Sequence, residues 1–291
     1  MGAVRQPAWA ARTRLAVMAV GATAALVTGV TACGGSSDGG PATAPTTTAA
    51  AGTSAAPRPL TILVSNDDGV GAAGIDAVVT ALRALPAVTV DVVAPDTNQS
   101  GTGGKTSPAT PAHHDATTAS GVAATSVDGF PADAVNAALG VLGLKPNLVV
   151  TGINQGQNLG PFVDLSGTVG AARAAAAHGI PALAASMGLG PTFDYSQGAG
   201  LVTAWVTAHR ATFTGTGGAP LSTVTNLNIP NCGAAKIRGE RELPTEPTVT
   251  DMGTAITNGQ DCSSTATPAD EVGAFNAGFA TLTTIPARPA K

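Results

Sequence analysis

Two adjacent carboxylates, Asp67 and Asp68, follow an apolar run at residues 60–64 in the segment Ser65-Asn66-Asp67-Asp68-Gly69. A run that short and that apolar reads as a buried strand, so the pair stands where the strand turns into a loop. Burying one carboxylate is costly, and a second beside it adds repulsion unless a cation or a proton intervenes. A divalent metal would resolve both costs. In open α/β sheets ligands bind outside the carboxyl ends of the strands, so position and chemistry agree. Taken alone, the pentapeptide also reads as a solvated turn, because Asn, Asp and Gly are ordinary turn residues.

The next residues, Gly69-Val70-Gly71-Ala72-Ala73-Gly74, match the G-x-G-x-x-G pattern of a dinucleotide site. In such a site a pyrophosphate rests on the glycine turn and the helix N-terminus. Asp67 and Asp68 immediately before the first glycine would repel it. The acid that should close the second strand is also missing, since Asp91 falls inside that strand and Asp96 lies past Pro95. A cation between carboxylates and phosphate turns the repulsion into two attractions, which favours metal plus phosphate over NAD.

Two further loops offer oxygen ligands. One is Ala94-Pro95-Asp96-Thr97-Asn98-Gln99-Ser100-Gly101; the other is Gly152-Ile153-Asn154-Gln155-Gly156-Gln157-Asn158-Leu159-Gly160. The Ser100 hydroxyl and the Asn154 amide carbonyl are neutral donors suited to Mg²⁺ or Mn²⁺. Ser166-Gly167-Thr168 opens an Ala-rich helix, where hydroxyls and free backbone N–H groups can hold an anion or simply cap the helix. Beside a metal, phosphate binding is the favoured role, with Asn158 adding an amide. His113 and His114 point to opposite sides of an extended chain and are read as surface residues. His178 and His209 are read as helix C-terminal residues, and Lys105 as a solvated loop lysine.

These loops need a sheet to hold them. Strands are expected at residues 60–64, 88–94, 148–151 and 181–185, with another ending at 229, and helices at 75–85, 131–144, 168–178 and 197–209. That alternation predicts a Rossmann-like, mostly parallel α/β sheet with helices on both faces. Residues 110–127 suggest a hairpin. After Pro230 the chain becomes extended and Thr-rich, an expected β-rich C-terminal arm closing with one short helix and one strand.

Taken together, Ser65-Asn66-Asp67-Asp68-Gly69, the loop through Asn98-Gln99-Ser100-Gly101, Thr151-Gly152-Ile153-Asn154 with Asn158-Leu159-Gly160, and Ser166-Gly167-Thr168-Val169 resemble the motif series of the SurE family of 5'/3'-nucleotidases. Gly129-Phe130-Pro131-Ala132-Asp133 and Leu227-Asn228-Ile229-Pro230 extend the likeness. The resemblance implies metal-dependent hydrolysis of phosphomonoesters, usually nucleoside monophosphates, by homodimers or tetramers built through C-terminal arms. It implies one divalent cation held by Asp67, Asp68, Ser100 and Asn154, with Asp67 also orienting or deprotonating the attacking water. Asn158, Ser166, Gly167 and Thr168 would bind the phosphate. Phe130, Ala134 and Leu165 depart from the family pattern, commonly Thr, Cys and an aromatic residue. The altered rim leaves an alternative, a tethered protein that binds nucleotide or phosphate without turnover.

The ends and the composition bound the setting. Residues 1–33 combine a basic leader (Arg5, Arg12, Arg14), an uncharged apolar stretch and Val30-Thr31-Ala32-Cys33, a lipoprotein-type export signal ending at lipidation residue Cys33. Residues 34–59, rich in Gly, Ser, Ala, Thr and Pro, read as a flexible spacer, leaving residues 60–291 for the phosphatase-like domain. The expected location is the extracytoplasmic face of a bacterial membrane, with the lipid as sole anchor. Formal net charge is −4 with no basic run, so a nucleic-acid polymer has no electrostatic support as partner. Cys232 and Cys262, without a nearby Cys or His, read as a disulfide in an exported domain. Full-length protein should therefore sediment with membranes, and Cys33→Ala should release it to the soluble fraction; an unchanged distribution would rule out the lipid anchor.

Overall fold

The computed structural model describes residues 57–246 and 259–288. The export signal, Cys33 and the spacer up to residue 56 lie outside the described residues. The strands are β1 (Leu60–Ser65), β2 (Val88–Pro95), β3 (His113–Thr117), β4 (Ala123–Val127), β5 (Leu148–Gln155), β6 (Ala182–Met187), β7 (Thr223–Ile229), β8 (Glu240–Glu242) and β9 (Ala280–Pro286). The helices are α1 (Ala73–Arg83), α2 (Pro131–Leu139), α3 (Gly167–Ala177), α4 (Ser196–His209) and α5 (Glu271–Asn276).

Strand β1 lies inside the sheet, paired in parallel with β2 on one side and β5 on the other. The full order is β3-β4-β2-β1-β5-β6-β7-β9-β8. From β4 to β7 every pairing is parallel, whereas β3 with β4 and β7 with β9 are antiparallel. Alternate residues of β1 serve opposite faces, as a strand's period of two requires. Ile62 and Val64 join Ile75, Val78, Val79 and Leu82 of α1 and Val202 and Val206 of α4 in one core. Leu63 faces the other, with Val93, Val135 and Val169. There Ala134, Ala137 and Ala138 of α2 and Ala171, Ala172, Ala175 and Ala176 of α3 are all buried. Such small side chains let the two helices approach each other and the sheet closely.

The expected α/β architecture is the observed one, with differences at element ends. The helix expected over 131–144 stops at Leu139, with Gly140 at its C-cap. The strand expected over 148–151 continues to Gln155. Its apolar pattern stops at Thr151, but pairing with β6 resumes at Asn154 after a register shift. Gly152 permits this, with φ +122° and no room for a Cβ, which would sit 2.1 Å from the Ala185 carbonyl. The C-terminal segment expected as an arm contributes β8 and β9 to the sheet itself.

Cys232 and Cys262 form a disulfide with Cα atoms 5.6 Å apart and a sequence separation of 30. It fastens the loop after β7 to the segment before α5. Gly278, just before β9, allows that approach, since a Cβ there would lie 2.6 Å from Cys262 Cα. Closing a loop of this length should stabilise the fold by roughly 3–4 kcal/mol in the chain-entropy account. A Cys232→Ser, Cys262→Ser double variant should lose about that much in urea unfolding; a loss under about 1 kcal/mol would mean the bridge is dispensable.

Candidate active site

Because β1 is flanked by β2 and β5, the chain reverses its direction of travel across the sheet at β1. Loops leaving the carboxyl ends of these neighbouring strands diverge to form the crevice where open α/β sheets bind ligands. Asp67 and Asp68 follow β1, Ser100 lies after β2, and Asn154 sits near the end of β5.

Asp67 is only 2% exposed. Thr168 Oγ1 donates to its Oδ1 at 2.5 Å, and its backbone carbonyl accepts from the Gln99 N–H at 2.7 Å. The N-terminus of α3 is pressed against this side chain. A Cβ on Gly167 would lie 2.8 Å from Asp67 Cβ, 2.9 Å from its Oδ2 and 3.0 Å from Pro131 Cγ. Only glycine fits there. Burial raises the Asp67 pKa to about 6 against the lowering effect of the Thr168 hydrogen bond, and the neighbouring Asp68 charge adds to the rise.

Asp68 accepts the Gln155 N–H at 2.9 Å and the Asn98 amide at 3.3 Å, one contact from the β5 side and one from the β2 loop. Its pKa is also raised by burial, opposed by the Gln155 hydrogen bond. Tyr195, between β6 and α4, is pushed up to about 12 by its own burial and then by the charge of Asp68. The amide of Asn66 closes the turn on the Gly69 carbonyl at 2.8 Å, and Gly69 holds φ +107°.

The donor set suits a hard cation. Asn154 is buried; its amide nitrogen donates to the Gly156 carbonyl at 2.6 Å, while its Oδ1 has no hydrogen-bond partner. A buried acceptor without a donor is rare and calls for an explanation, such as an ion. Among the described residues no three His, Cys, Asp or Glu side chains converge. Two carboxylates plus neutral oxygens match Mg²⁺ or Mn²⁺, which retain waters, better than a closed His/Cys site. Ser100 is exposed on the crevice loop, where its N–H bonds Asn98 Oδ1 at 3.0 Å.

At the start of α3, Ser166 Oγ accepts the Val169 N–H at 3.1 Å as an N-cap. The amide of Asn158, an expected phosphate ligand, donates to Ser186 Oγ at 2.8 Å. Its N–H bonds Asn228 Oδ1 at 2.7 Å, and its carbonyl accepts from the Asn226 and Asn228 amides, each at 3.0 Å. This buried network on the ends of β6 and β7 makes Asn158 a support for the loop.

Of the G-x-G-x-x-G glycines, Gly69 makes the turn and Gly74 lets α1 meet β5, since a Cβ there would lie 1.8 Å from the Ile153 carbonyl; Gly71 faces open space. The pattern is structural here. Sequence reasoning missed the Gln155 N–H and the Asn98 amide on Asp68, and Tyr195 beside it. Tyr195 follows β6, so a search of every strand end would have found it. His114 pairs with Asp128 on the surface at 3.2 Å.

The Asp67 shift carries a sign. Its folded pKa, about 6, lies above the ordinary 3.8, so the fold binds the proton more tightly than the unfolded chain does. That stability is fully present below pH about 4 and is lost as pH rises to about 6, a change on the order of 3 kcal/mol. In chelator-treated protein, Asp67→Asn should raise the melting temperature at pH 7 by several degrees, and divalent metal should stabilise the parent chain far more than this variant. No gain in the variant at pH 7 would show that the buried charge is already neutralised by other means.

Known proteins share this chain's sequence pattern and its fold. A sequence profile described as survival protein SurE matches residues 62–257. The 5'-nucleotidase SurE of Methanocorpusculum labreanum is 38% identical over 195 residues, 63% of this chain and 70% of that protein. The 5'-nucleotidase SurE of Pelobacter propionicus is 39% identical over 182 residues, 61% and 68% of the two chains. The crystal structure of the SurE protein from Aquifex aeolicus is similar with a TM-score of 0.62 and 28% identity, covering 79% of this chain and 95% of that one. With a profile match over most of its length and relatives aligned across two thirds of theirs, this chain belongs to the SurE family.

Proposed function

We propose that this protein is a divalent-metal-dependent phosphomonoesterase that hydrolyses nucleoside monophosphates. The observation that carries the proposal is the carboxylate pair at the end of β1, where Asp67 is buried against the N-terminus of α3 and the buried Asn154 Oδ1 on neighbouring β5 has no hydrogen-bond partner. The relatives' names, 5'-nucleotidase, point to the same substrate class. Export by residues 1–33, a lipid anchor on Cys33 and assembly into homodimers or tetramers through the C-terminal segment belong to the same proposal and rest on sequence alone.

Asp67, Asp68, Asn154 and Ser100 would hold one Mg²⁺ or Mn²⁺. When bound, such a cation polarises a phosphoryl oxygen and makes a neighbouring water more acidic. The protein's own groups supply the rest. Asp67 has one oxygen tied to Thr168 and a raised pKa, which suits it to take a proton from an attacking water near neutral pH. The first backbone N–H groups of α3, with the helix dipole behind them, meet the negative charge of the phosphoryl oxygens. Ser166 fixes that terminus as its cap. Gly167, lacking a Cβ, brings it against Asp67.

Phosphate release from AMP should require Mg²⁺ or Mn²⁺, cease with EDTA, and fall about 10²–10⁴-fold in Asp67→Asn. Equal turnover with chelator present would overturn the mechanism. Nucleotide binding without phosphate release over hours would instead favour the non-catalytic reading.

A further inference from the structure

Charged side chains divide between the two ends of the sheet. The connections that leave the carboxyl ends of β1, β2, β4, β5 and β6 carry Asp67, Asp68, Asp96, Asp128, Asp164 and Asp194, with Lys105 as their sole cation. At the amino ends the sign reverses. Residues 57–59, 84–87, 140–147, 178–181 and 210–222, which lead into β1, β2, β5, β6 and β7, hold no Asp or Glu. Arg58, Lys145 and Arg210 lie within these segments, and Arg83 stands in the last turn of α1 just ahead of residues 84–87.

Hydrogen bonds join these segments into one surface. Arg210 donates to the Arg58 carbonyl at 2.8 Å, the Pro86 carbonyl at 2.9 Å and the Ala87 carbonyl at 2.7 Å. Asn147, two residues past Lys145, donates its N–H to the Thr61 carbonyl at 2.8 Å and its amide to the Gly215 carbonyl at 3.2 Å. Carbonyls fix a guanidinium but leave its charge uncancelled, and among the described residues none of the four cations pairs with a carboxylate. Arg58, Arg83 and Lys145 are exposed, and Arg210 is partly so. A face of one sign attracts a surface of the other. Lipid is the surface this face is placed to meet, because Arg58, two residues before β1, joins the folded domain to the spacer and Cys33. A single lipid chain anchors only marginally until a second signal, such as a basic patch, joins it. The acidic crevice lies at the other end of the six-residue β1, ~20 Å away, and the same lipid repels it.

We infer that this basic face docks on an anionic lipid surface and holds the crevice turned outward to solvent. The inference rests on the tethered reading of residues 1–59, and the following experiment separates the two. Full-length protein is floated with vesicles of phosphatidylcholine alone, or with one third phosphatidylglycerol, and amide exchange is followed on each. The tether requires flotation with both. On the anionic vesicles at low salt, exchange in residues 84–87 and 140–147 should slow at least about fivefold relative to the neutral ones, the preference that roughly one cation near such a surface contributes. Residues 96–105, on the crevice loop, should exchange equally on both. An Arg83→Glu, Lys145→Glu double variant changes two exposed side chains that make no hydrogen bond among the described residues, and it should abolish the slowing, as should high salt. Equal exchange at 84–87 and 140–147 on both vesicle types, slowing at 96–105 instead, or slowing that persists in the double variant would overturn the docking face while leaving the tether intact. Flotation with anionic vesicles alone would end the tether, and the exchange pattern would still decide the face; flotation with neither would end both.

Discussion

The arrangement depends on two carboxylates placed side by side at the end of a buried strand. A lone buried carboxylate is costly, and Asp67 beside Asp68 adds like-charge repulsion. The surrounding contacts answer that cost. Thr168 donates to one oxygen of Asp67, Gln155 and Asn98 donate to Asp68, and α3 directs its N-terminus at the pair. Burial still dominates, as the raised pKa of both groups shows. A site whose charge is incompletely compensated by its own protein is ready for a cation.

The parallel sheet supplies the geometry for this. β1 has β2 and β5 as its neighbours, so three loops from adjacent strand ends meet around one crevice. Glycines then set how near each part comes. Gly167 seats α3 on Asp67, Gly74 seats α1 on the Ile153 carbonyl, and Gly170 seats α3 on the loop at Gly103, where a Cβ would lie 2.1 Å from the Gly103 carbonyl. The alanine-rich contact of α2 with α3 serves the same end. It brings Pro131 against Gly167 at the N-terminus of α3.

Buried polar side chains hold the loops that hydrophobic contact cannot fix. Asp133 ties α2 to the Ser107 segment, and Asn158 is tied to Ser186, Asn226 and Asn228 on the ends of β6 and β7. Each is satisfied by neutral donors or acceptors, which suits a low-dielectric interior. Asn154 is the contrast, with a buried carbonyl oxygen left without a donor.

Much of the fold was legible in the chain because apolar periodicity is local. The runs that became β1, β2 and β6 and the alternation with helices were readable, as was the position of Asp67 and Asp68 at a strand end. Element ends were less so: the strand through Asn154 continues beyond its apolar residues because pairing with β6, a long-range contact, holds it. The sequence by itself determined which residues can carry charge, cap a helix or turn a strand, since those are properties of side chains and their neighbours. Only the tertiary structure decided that Gly167 touches Asp67, and that the Asn158 amide is tied to Ser186 while the equally buried Asn154 keeps an oxygen without a donor. Those facts depend on the separations of atoms far apart in the chain, which helix–sheet packing fixes and no local pattern encodes.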